Sequence, residues 1–401
     1  MRRRLAALLV VVAAAAPAAS AATPAPSSEL QRKLARALRV PHVSPARSAA
    51  LALDLTSGTV VYAQNASRSL APASNEKLPV TYAALSVLGP AFRFDTDVLG
   101  EGEQDGAVWR GTLVLKGSGD PTLSSASLRS LVQQVRAGGI RRVTGGIVAD
   151  ESWFDARRTV LGWKPGFYFG ESPPLSALVV DRDHGGSTNP ALAAGVALRA
   201  ALRAAGVAVG GTVRVGVGGE IAIPLATVES ATLAAIVRFM DRESDNFTAE
   251  MLLKELGASE LGRGTSAAGA EIVMRELAGA GVPTAGVRIV DGSGLSQLDR
   301  LTVAALAALL RAAWSDPEIR SALLAALPVA GVSGTLEDRM RTGPAHGLVL
   351  AKTGTTMDAS ALSGFVRGRY AFAVVQNGHP LSYSWARVAQ DRFAQVLAAA
   401  K

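Results

Sequence analysis

The residue pattern in the middle of this 401-residue chain differs from that of both flanks. Between residues 92 and 224, short strand-like pieces such as 111–116 alternate with glycine-rich turns and two helical segments, near 128–137 and 190–205. The flanking segments instead show long helical patterns and hairpin patterns. We therefore expect a multi-domain α+β protein in which one or two mainly β modules interrupt a larger domain.

The flanks contain the pieces of one antiparallel sheet and its helices. Residues 49–55 and 59–62 surround a tight polar turn, and residues 361–366 and 370–375 surround Arg367-Gly368-Arg369. Each pair of apolar runs predicts an antiparallel hairpin. Helical patterns that end at glycine, proline or the chain end cover residues 29–40, 74–88 and about 383–400.

The N-terminus matches an export signal. A basic start, Met1-Arg2-Arg3-Arg4, precedes an apolar run over residues 5–16 and the small-residue pattern Ala19-Ser20-Ala21. We expect a signal peptide over 1–21 and an exported protein, periplasmic or extracellular and associated with the cell wall. The apolar run is too short to predict a stable membrane span in the mature chain, and an uncleaved N-terminal anchor is the alternative.

Composition excludes several classes of function. The chain has no cysteine, which rules out disulfides and cysteine catalysis. The net charge of +8 is modest, aromatics make up 5%, and no basic run has interleaved aromatics, so we expect no nucleic-acid partner. The four histidines are scattered, and neither Gly-x-Ser-x-Gly, His-Glu-x-x-His nor a phosphate-binding glycine loop occurs.

A serine precedes a lysine by three positions in Pro72-Ala73-Ser74-Asn75-Glu76-Lys77. At the start of a helix this spacing places the Ser74 hydroxyl beside the Lys77 amine. Serine needs an adjacent base to act as a nucleophile, and a lysine can be that base only if burial or positive charge lowers its pKa. Arginine cannot replace it, although the chain contains 34 arginines and only seven lysines. The alternative is a helix cap with a solvated lysine, and we expect Glu76 to face solvent.

Two further polar motifs follow. Ser244 and Asn246, two positions apart, can point into one cleft from a tight loop, where a hydroxyl relays protons and an amide holds a peptide group. Their alternative role is to cap the helix that follows. The strand-like run 348–356 contains Lys352-Thr353-Gly354-Thr355. Glycine there permits close approach of a substrate backbone, and the two threonine hydroxyls can grip a carboxylate; the alternative is an ordinary edge strand.

In this order the three motifs resemble the signature set of penicillin-binding proteins and serine β-lactamases. The resemblance is closest to the D-alanyl-D-alanine carboxypeptidase/D-alanyl-D-alanine-endopeptidase family, the low-molecular-mass class C penicillin-binding proteins. It covers about residues 48–400. Besides the three motifs it rests on a gap of 167 positions between Lys77 and Ser244 and on three segments, residues 116–123, 243–247 and 291–296.

The resemblance implies a β-lactamase/transpeptidase-like domain, an antiparallel sheet flanked by helices, split into residues 22–95 and 229–401 by an insertion over 96–228. It implies that Ser74 is acylated with Lys77 as its base, and that Ser244 and Asn246 relay protons and position substrate. Carboxylate binding falls to Lys352, Thr353, Gly354 and Thr355, and the oxyanion hole to the N–H groups of Ser74 and Thr355. The implied partners are peptidoglycan peptides and, as covalent inhibitors, β-lactams, with neither metal nor cofactor.

One departure affects specificity. Relatives often follow a Gly-Trp pair with an acidic residue that reads the amine of a diamino acid, but after Gly162-Trp163 no acid occurs until Glu171. Two other functions remain open at this point. One is a β-lactamase-like hydrolase, and the other is a non-catalytic protein that binds the wall or senses β-lactams.

Overall fold

The structure is a computed structural model that describes residues 28–400, so the predicted signal peptide lies outside the described residues. The α-helices are α1 Ser28–Ala37, α2 Lys77–Leu88, α3 Ser125–Ala137, α4 Pro190–Ala204, α5 Leu233–Glu243, α6 Asn246–Leu261, α7 Ser266–Gly279, α8 Val303–Ser315, α9 Arg320–Ala326 and α10 Tyr383–Ala399. The strands are β1 Ser48–Asp54, β2 Val60–Gln64, β3 Asp95–Asp105, β4 Val108–Gly117, β5 Arg142–Val143, β6 Ile147–Asp150, β7 Ala208–Val209, β8 Val213–Val215, β9 Ile223–Glu229, β10 Val349–Thr355, β11 Ala359–Val366 and β12 Tyr370–Asn377.

A five-stranded antiparallel sheet joins the two ends of the described chain, in the order β10-β11-β12-β1-β2. Both predicted hairpins are confirmed as neighbouring strands of this sheet. Alternate side chains of β1 enter different cores. Leu51 and Leu53 pack with the helices around α2, whereas Ala50 and Ala52 pack with α1 and α10. The sheet is therefore covered by helices on both faces, as the alternation of strand side chains requires.

Helix α2 lies at the centre of the larger helical layer. It contacts α5, α6, α7, α8 and α9, and its first nine residues are all buried. Glu76, which immediately precedes it, is also fully buried. The prediction that Glu76 faces solvent is therefore wrong, because helices surround α2 and leave it no exposed side near its start.

The second sheet is mixed and is built from β3 to β9. Its longest strands, β3 and β4, are antiparallel, and β5, β6, β7 and β8 add parallel pairs. Helices α3 and α4 pack on it around Leu131 and Leu198. The chain enters at Asp95 and leaves at Glu229, and these two residues are register partners on neighbouring strands. Entry and exit side by side are what an insertion requires, and the predicted fold class is confirmed.

The segment between β6 and α4 attaches the second sheet to the helical layer. Phe154, Leu175 and Val179 from this segment pack against Phe247 and Met251 of α6. The first turn of α6 carries one of the candidate motifs, so the inserted part of the chain contacts the site directly. Within residues 28–400 no helix is long and apolar enough to cross a membrane.

Candidate active site

Ser74 lies in a short 3-10 turn, Ala73–Glu76, that runs directly into α2. Three residues complete one turn of such a helix, so the side chains of Ser74 and Lys77 lie on the same side. Lys77 Nζ is 3.1 Å from Ser74 Oγ. Ala73, just before the serine, has φ +49°, a strained conformation for an L-residue that persists only where neighbours enforce it.

Two glycines from different segments allow the backbone to pack closely against this turn. A Cβ added to Gly294 would lie 2.0 Å from the carbonyl oxygen of Ala73, and one added to Gly354 would lie 2.9 Å from that of Pro72 and 3.1 Å from Ser74 N. Gly354 thus has a structural role beyond the predicted approach of substrate. It lets strand β10 contact the turn that carries Ser74.

Lys77 is fully buried, and its amine has three oxygen partners. Besides Ser74 Oγ, these are Asn246 Oδ1 and the carbonyl oxygen of Ser293, each at 2.8 Å. Burial lowers the pKa of Lys77 to about 8, while the carboxylates of Asp291 and Asp245 act against this shift. A substantial fraction of the amine is therefore neutral in mildly alkaline solution, as a base must be.

The predicted cap is found, but at Asp245, between the two candidate residues. Asp245 accepts a 2.7 Å hydrogen bond from Thr248 N at the start of α6. Ser244, at the end of α5, has φ +58°, and this left-handed residue turns the chain sharply between the two helices. Ser244 and Asn246 are consequently free for other contacts. Asn246 Oδ1 contacts Lys77, while Nδ2 donates to the Glu171 carbonyl oxygen at 3.0 Å.

Lys352 is the second buried amine of the site. Its Nζ lies 2.7 Å from Ser244 Oγ, so the second and third motifs meet. Burial, and after it the positive charge of Lys77, lowers the pKa of Lys352 to about 7, whereas Asp241 opposes the shift. The repulsion between the two lysines disfavours a state in which both are charged.

The threonines of the third motif lie on strand β10, an edge strand of the sheet. Thr355 is exposed, and the hydroxyl of Thr353 donates to Thr335 Oγ1 at 2.7 Å. Thr335 was not among the sequence-predicted residues. It comes from a short 3-10 helix, Gly334–Leu336, and no motif marked it.

Sequence reasoning also missed a cluster of four buried carboxyl groups around the start of α2. Asp291 accepts hydrogen bonds from the N–H groups of Ser293, Gly294 and Ser296 and from Trp163 Nε1. Its cluster partners are Glu76, Glu250 and Asp299, all buried. The sequence marks the segment 291–296 only through the family resemblance, which assigns its residues no role.

The pKa values of two of these carboxyl groups are raised. Burial, together with the nearby charge of Asp291, raises the pKa of Glu250 to about 8 and that of Glu76 well above its ordinary value. Neither carboxyl oxygen of Glu76 has a hydrogen-bond partner. Among residues 28–400 no group of three or more acidic or histidine side chains is arranged to hold a metal ion. The cluster instead fixes the 291–296 loop, whose Ser293 carbonyl contacts Lys77.

An open cleft of about 720 Å³ runs from the Ser74 turn along the end of β10. Ala73 and Thr355 line it, and Glu171, Arg300 and Asp358 contribute charged groups. Glu171, the first acid after Trp163, therefore lines the cleft. Thr355 is the predicted site residue that lines the cleft. The three motifs contact one another beside it, through Lys77 with Asn246, Lys352 with Ser244, and Gly354 with the Ser74 turn, although they come from distant segments.

A serine and a lysine on a buried helix, a Ser-x-Asn turn and a Lys-Thr-Gly strand meet here beside an antiparallel sheet covered by helices. This combination defines the class of penicillin-binding proteins and serine β-lactamases.

Comparison with known proteins identifies the family within that class. The D-Ala-D-Ala carboxypeptidase 3 (S13) family matches residues 30–188 and 184–400. The D-alanyl-D-alanine carboxypeptidase of Actinomadura sp. (strain R39) is 34% identical over 89% of this chain and 82% of its own length. Carboxypeptidase DacB of Mycolicibacterium smegmatis is 35% identical over 86% of this chain and 78% of its own length. The chain belongs to the D-Ala-D-Ala carboxypeptidase 3 (S13) family, which confirms the predicted family and enzyme class.

The solved structure of penicillin binding protein 4 (dacB) from Haemophilus influenzae is similar in fold. Its TM-score is 0.79, and the match covers 92% of this chain and 98% of that chain at 23% sequence identity. The similarity therefore extends to the inserted part of the chain and supports the predicted fold class.

Proposed function

We propose that this protein is a serine-type D-Ala-D-Ala carboxypeptidase and endopeptidase that acts on peptidoglycan stem peptides and crosslinks through an acyl-enzyme on Ser74. One observation carries the proposal. The fully buried amine of Lys77, with its pKa lowered to about 8, lies 3.1 Å from the Ser74 hydroxyl. A serine paired with a partly neutral amine is an activated nucleophile.

In the first half-reaction the neutral Lys77 amine takes the proton from Ser74 Oγ. The oxygen attacks the carbonyl carbon of the penultimate D-Ala, and the N–H groups of Ser74 and Thr355 bind the resulting oxyanion; each such donor contributes about 10²–10³ in rate. The peptide C–N bond then breaks. The leaving amine of the terminal D-Ala receives a proton from Lys77, relayed through Ser244. Water later hydrolyses the ester and regenerates Ser74.

Substrate binding falls to the edge strand β10. Lys352, Thr353 and Thr355 bind the terminal carboxylate. The Thr353 hydroxyl, which donates to Thr335 Oγ1 at 2.7 Å in the free site, turns its proton to the carboxylate and accepts the Thr335 proton in return. Gly354 keeps this strand close to the serine. Asn246, held between Lys77 and the Glu171 carbonyl, positions the substrate peptide group.

β-Lactams are the proposed covalent inhibitors, because their strained amide is attacked in the same way as the D-Ala-D-Ala bond. Support comes from the H. influenzae penicillin binding protein 4, which has a solved structure in complex with a β-lactam. We also propose export to the periplasm or cell wall, where the substrate occurs, and a domain division into 22–95, an insertion over 96–228, and 229–401.

The experiment that tests the proposal is intact-mass spectrometry of the protein mixed with penicillin. We expect a long-lived adduct of one penicillin on the wild type and none on Ser74→Ala. Ser67→Ala, which removes an exposed hydroxyl from the loop before the motif, serves as the matched control and keeps the adduct.

Other outcomes would favour other functions. Rapid loss of penicillin without an accumulating adduct would indicate a β-lactamase-like hydrolase. No adduct and no turnover would indicate a non-catalytic wall-binding protein. Release of D-Ala from a synthetic stem peptide, and cleavage of a purified crosslinked dimer, would separate the carboxypeptidase and endopeptidase activities.

A further inference from the structure

The loop at residues 181–183 has an unusual backbone. Asp181, Arg182 and Asp183 have φ values of +50°, +55° and +52°, so three successive residues with side chains occupy the left-handed region. Each such residue costs about 1–3 kcal/mol and persists only when its surroundings enforce it. In the chain the loop lies between β6 and α4, outside the motifs that define the active site.

The first of these residues is anchored to helix α3, within the inserted part of the chain. The Asp181 carboxylate accepts hydrogen bonds from Ser125 N at 3.0 Å and from the Ser125 hydroxyl. Ser125 is the first residue of α3, where the helix dipole also favours a negative charge. The loop conformation is thus tied to α3, one of the helices that cover the second sheet.

The second residue reaches the active-site turn. The Arg182 guanidinium donates to Asp245 Oδ2 in an ion pair whose two side chains are 26% and 15% exposed. It also lies over two aromatic rings, with its central carbon 5.6 Å from the centroid of Phe239 and 5.2 Å from that of Phe247. Phe239 belongs to α5 and Phe247 to α6, so Arg182 contacts both helices that flank the Ser244–Asn246 turn.

Asp245 is the central residue of that turn, and its two oxygens have different partners. Oδ1 caps α6 through Thr248 N, while Oδ2 binds Arg182. On either side of Asp245, Ser244 contacts Lys352 and Asn246 contacts Lys77. A shift of Asp245 would consequently displace the partners of both buried amines.

We propose that Arg182 is a positioning residue for the acylation reaction, which holds the Ser244-Asp245-Asn246 turn in place and neutralises the charge of Asp245 beside Lys77. This inference rests on the proposed function. It makes the inserted module part of the catalytic apparatus, because the loop that carries Arg182 is anchored on α3.

The electrostatic part of the role has a definite sign. The groups that act on the charge of Lys77 are the carboxyl groups of Asp291, Asp245, Glu250, Asp241 and Glu76, and the amine of Lys352. Asp245 favours the charged form of Lys77. Loss of Arg182 would leave the Asp245 charge unopposed and raise the pKa of Lys77. The acid limb, which is the part of the pH profile where the acylation rate rises as Lys77 loses its proton, would then move to higher pH.

The test compares second-order rates of penicillin acylation across pH for Arg182→Ala and Arg182→Lys. Arg203→Ala is the matched control, since Arg203 is an exposed arginine on α4 of the same inserted region. We expect Arg182→Ala to slow acylation about tenfold, as for closely coupled residues, and to move the acid limb to higher pH. Arg182→Lys keeps the charge and restores the wild-type limb with a partial recovery of rate. Arg203→Ala changes neither.

Asp245→Asn completes a double-mutant cycle, because asparagine retains the helix cap but loses the charge. In that background Arg182→Ala should slow acylation less than twofold.

Two results would overturn the inference. One is that Arg182→Ala and Arg203→Ala have the same acylation rate and the same position of the acid limb. The other is that Arg182→Ala acylates slowly but its acid limb does not move, and Arg182→Lys does not recover the rate. If Arg182→Ala fails to fold, the pH positions of the acid limb in Arg182→Lys and in Asp245→Asn test the inference instead. If penicillin does not label the wild type at Ser74, the proposed function is rejected. The same double-mutant cycle, measured as free energies of unfolding instead of acylation rates, then tests the Arg182–Asp245 coupling.

Discussion

Lys77 Nζ and Asn246 Oδ1 are 2.8 Å apart, although their residues are separated by 169 positions in the chain. The contact joins the two halves of the larger domain across the insertion. It also gives the buried amine one of its three oxygen partners, so the orientation of Lys77 toward Ser74 depends on a residue that follows the second sheet in the chain.

Asn246→Ala should slow acylation by penicillin about tenfold to a hundredfold, because the Lys77 amine loses one of the three contacts that orient it toward Ser74, and a misplacement of about 1 Å can cost about 10²-fold. Asn246→Asp should retain the contact but add a negative charge, which favours the ammonium form of Lys77 and moves the acid limb to higher pH. Stopped-flow acylation rates across pH check both. A wild-type rate in Asn246→Ala would show that the amide does not orient the amine.

The pH dependence of acylation should follow the two buried lysines. Lys77 must be neutral to act as base, and Lys352 must be charged to bind a carboxylate, with pKa values lowered to about 8 and about 7. Because the two amines repel each other, the limbs of the bell-shaped profile belong to the pair. Asp241, whose own pKa burial raises to about 6, favours the charged form of both.

Asp241→Asn should therefore lower both lysine pKa values and move the whole profile to lower pH. Asparagine can still accept the 2.8 Å hydrogen bond from Thr81, so the packing is retained. The measurement is the acylation rate from acidic to alkaline pH, and a shift to higher pH would contradict the assignment of charges.

Gly354→Ala should disrupt the contact between β10 and the Ser74 turn. The added methyl would lie 2.9 Å from the Pro72 carbonyl oxygen and 3.1 Å from Ser74 N, both backbone atoms that move only with the turn. Displacement of the nucleophile by about 1 Å can cost about 10²-fold in rate. Gly279→Ala, at the end of α7 with open space around it, is the matched control and should acylate normally. Equal rates for the two variants would exclude this steric role.

Glu76→Gln should remove a pH-dependent loss of stability. Burial raises the pKa of Glu76 well above 4.5, so the folded state keeps a proton that the unfolded state releases. The stability linked to this proton is fully present below the unfolded pKa and is lost as the pH rises toward the folded pKa, at about 1.4 kcal/mol per pH unit. Urea unfolding at pH 5 and 8 should show a growing advantage of Glu76→Gln. Glu220→Gln, at an exposed site, should show none, and parallel curves for the two variants would reject the buried neutral carboxyl.

Local patterns were enough to predict most elements and the three motifs. Alternating apolar residues predicted the hairpins of the five-stranded sheet, and a three-residue spacing predicted the contact between Ser74 and Lys77. The change of residue pattern over 92–224 predicted inserted modules in the middle of the chain, while the bounds 96–228 follow from the family resemblance and stay a prediction. These features depend on neighbours in the chain, since backbone geometry alone determines which nearby side chains share a face.

The exposure of Glu76 could not be predicted in this way. Its helix position is the same whether the next helix covers it or water does, and α6 and the 291–296 loop, which decide the matter, lie far along the chain. The same holds for Thr335, whose value to Thr353 arises only when a 3-10 turn meets an edge strand.

By itself the sequence determined the family, the α+β class and the residues that carry the candidate chemistry, because these depend on short motifs and their order. The tertiary structure decided the environment of those residues. It buried both lysines, brought Ser244 and Asn246 into contact with them, and connected the intervening Asp245 to Arg182 of the inserted region. Burial and charge at such a site are sums over side chains from distant segments, and only the folded chain brings those segments within range of each other.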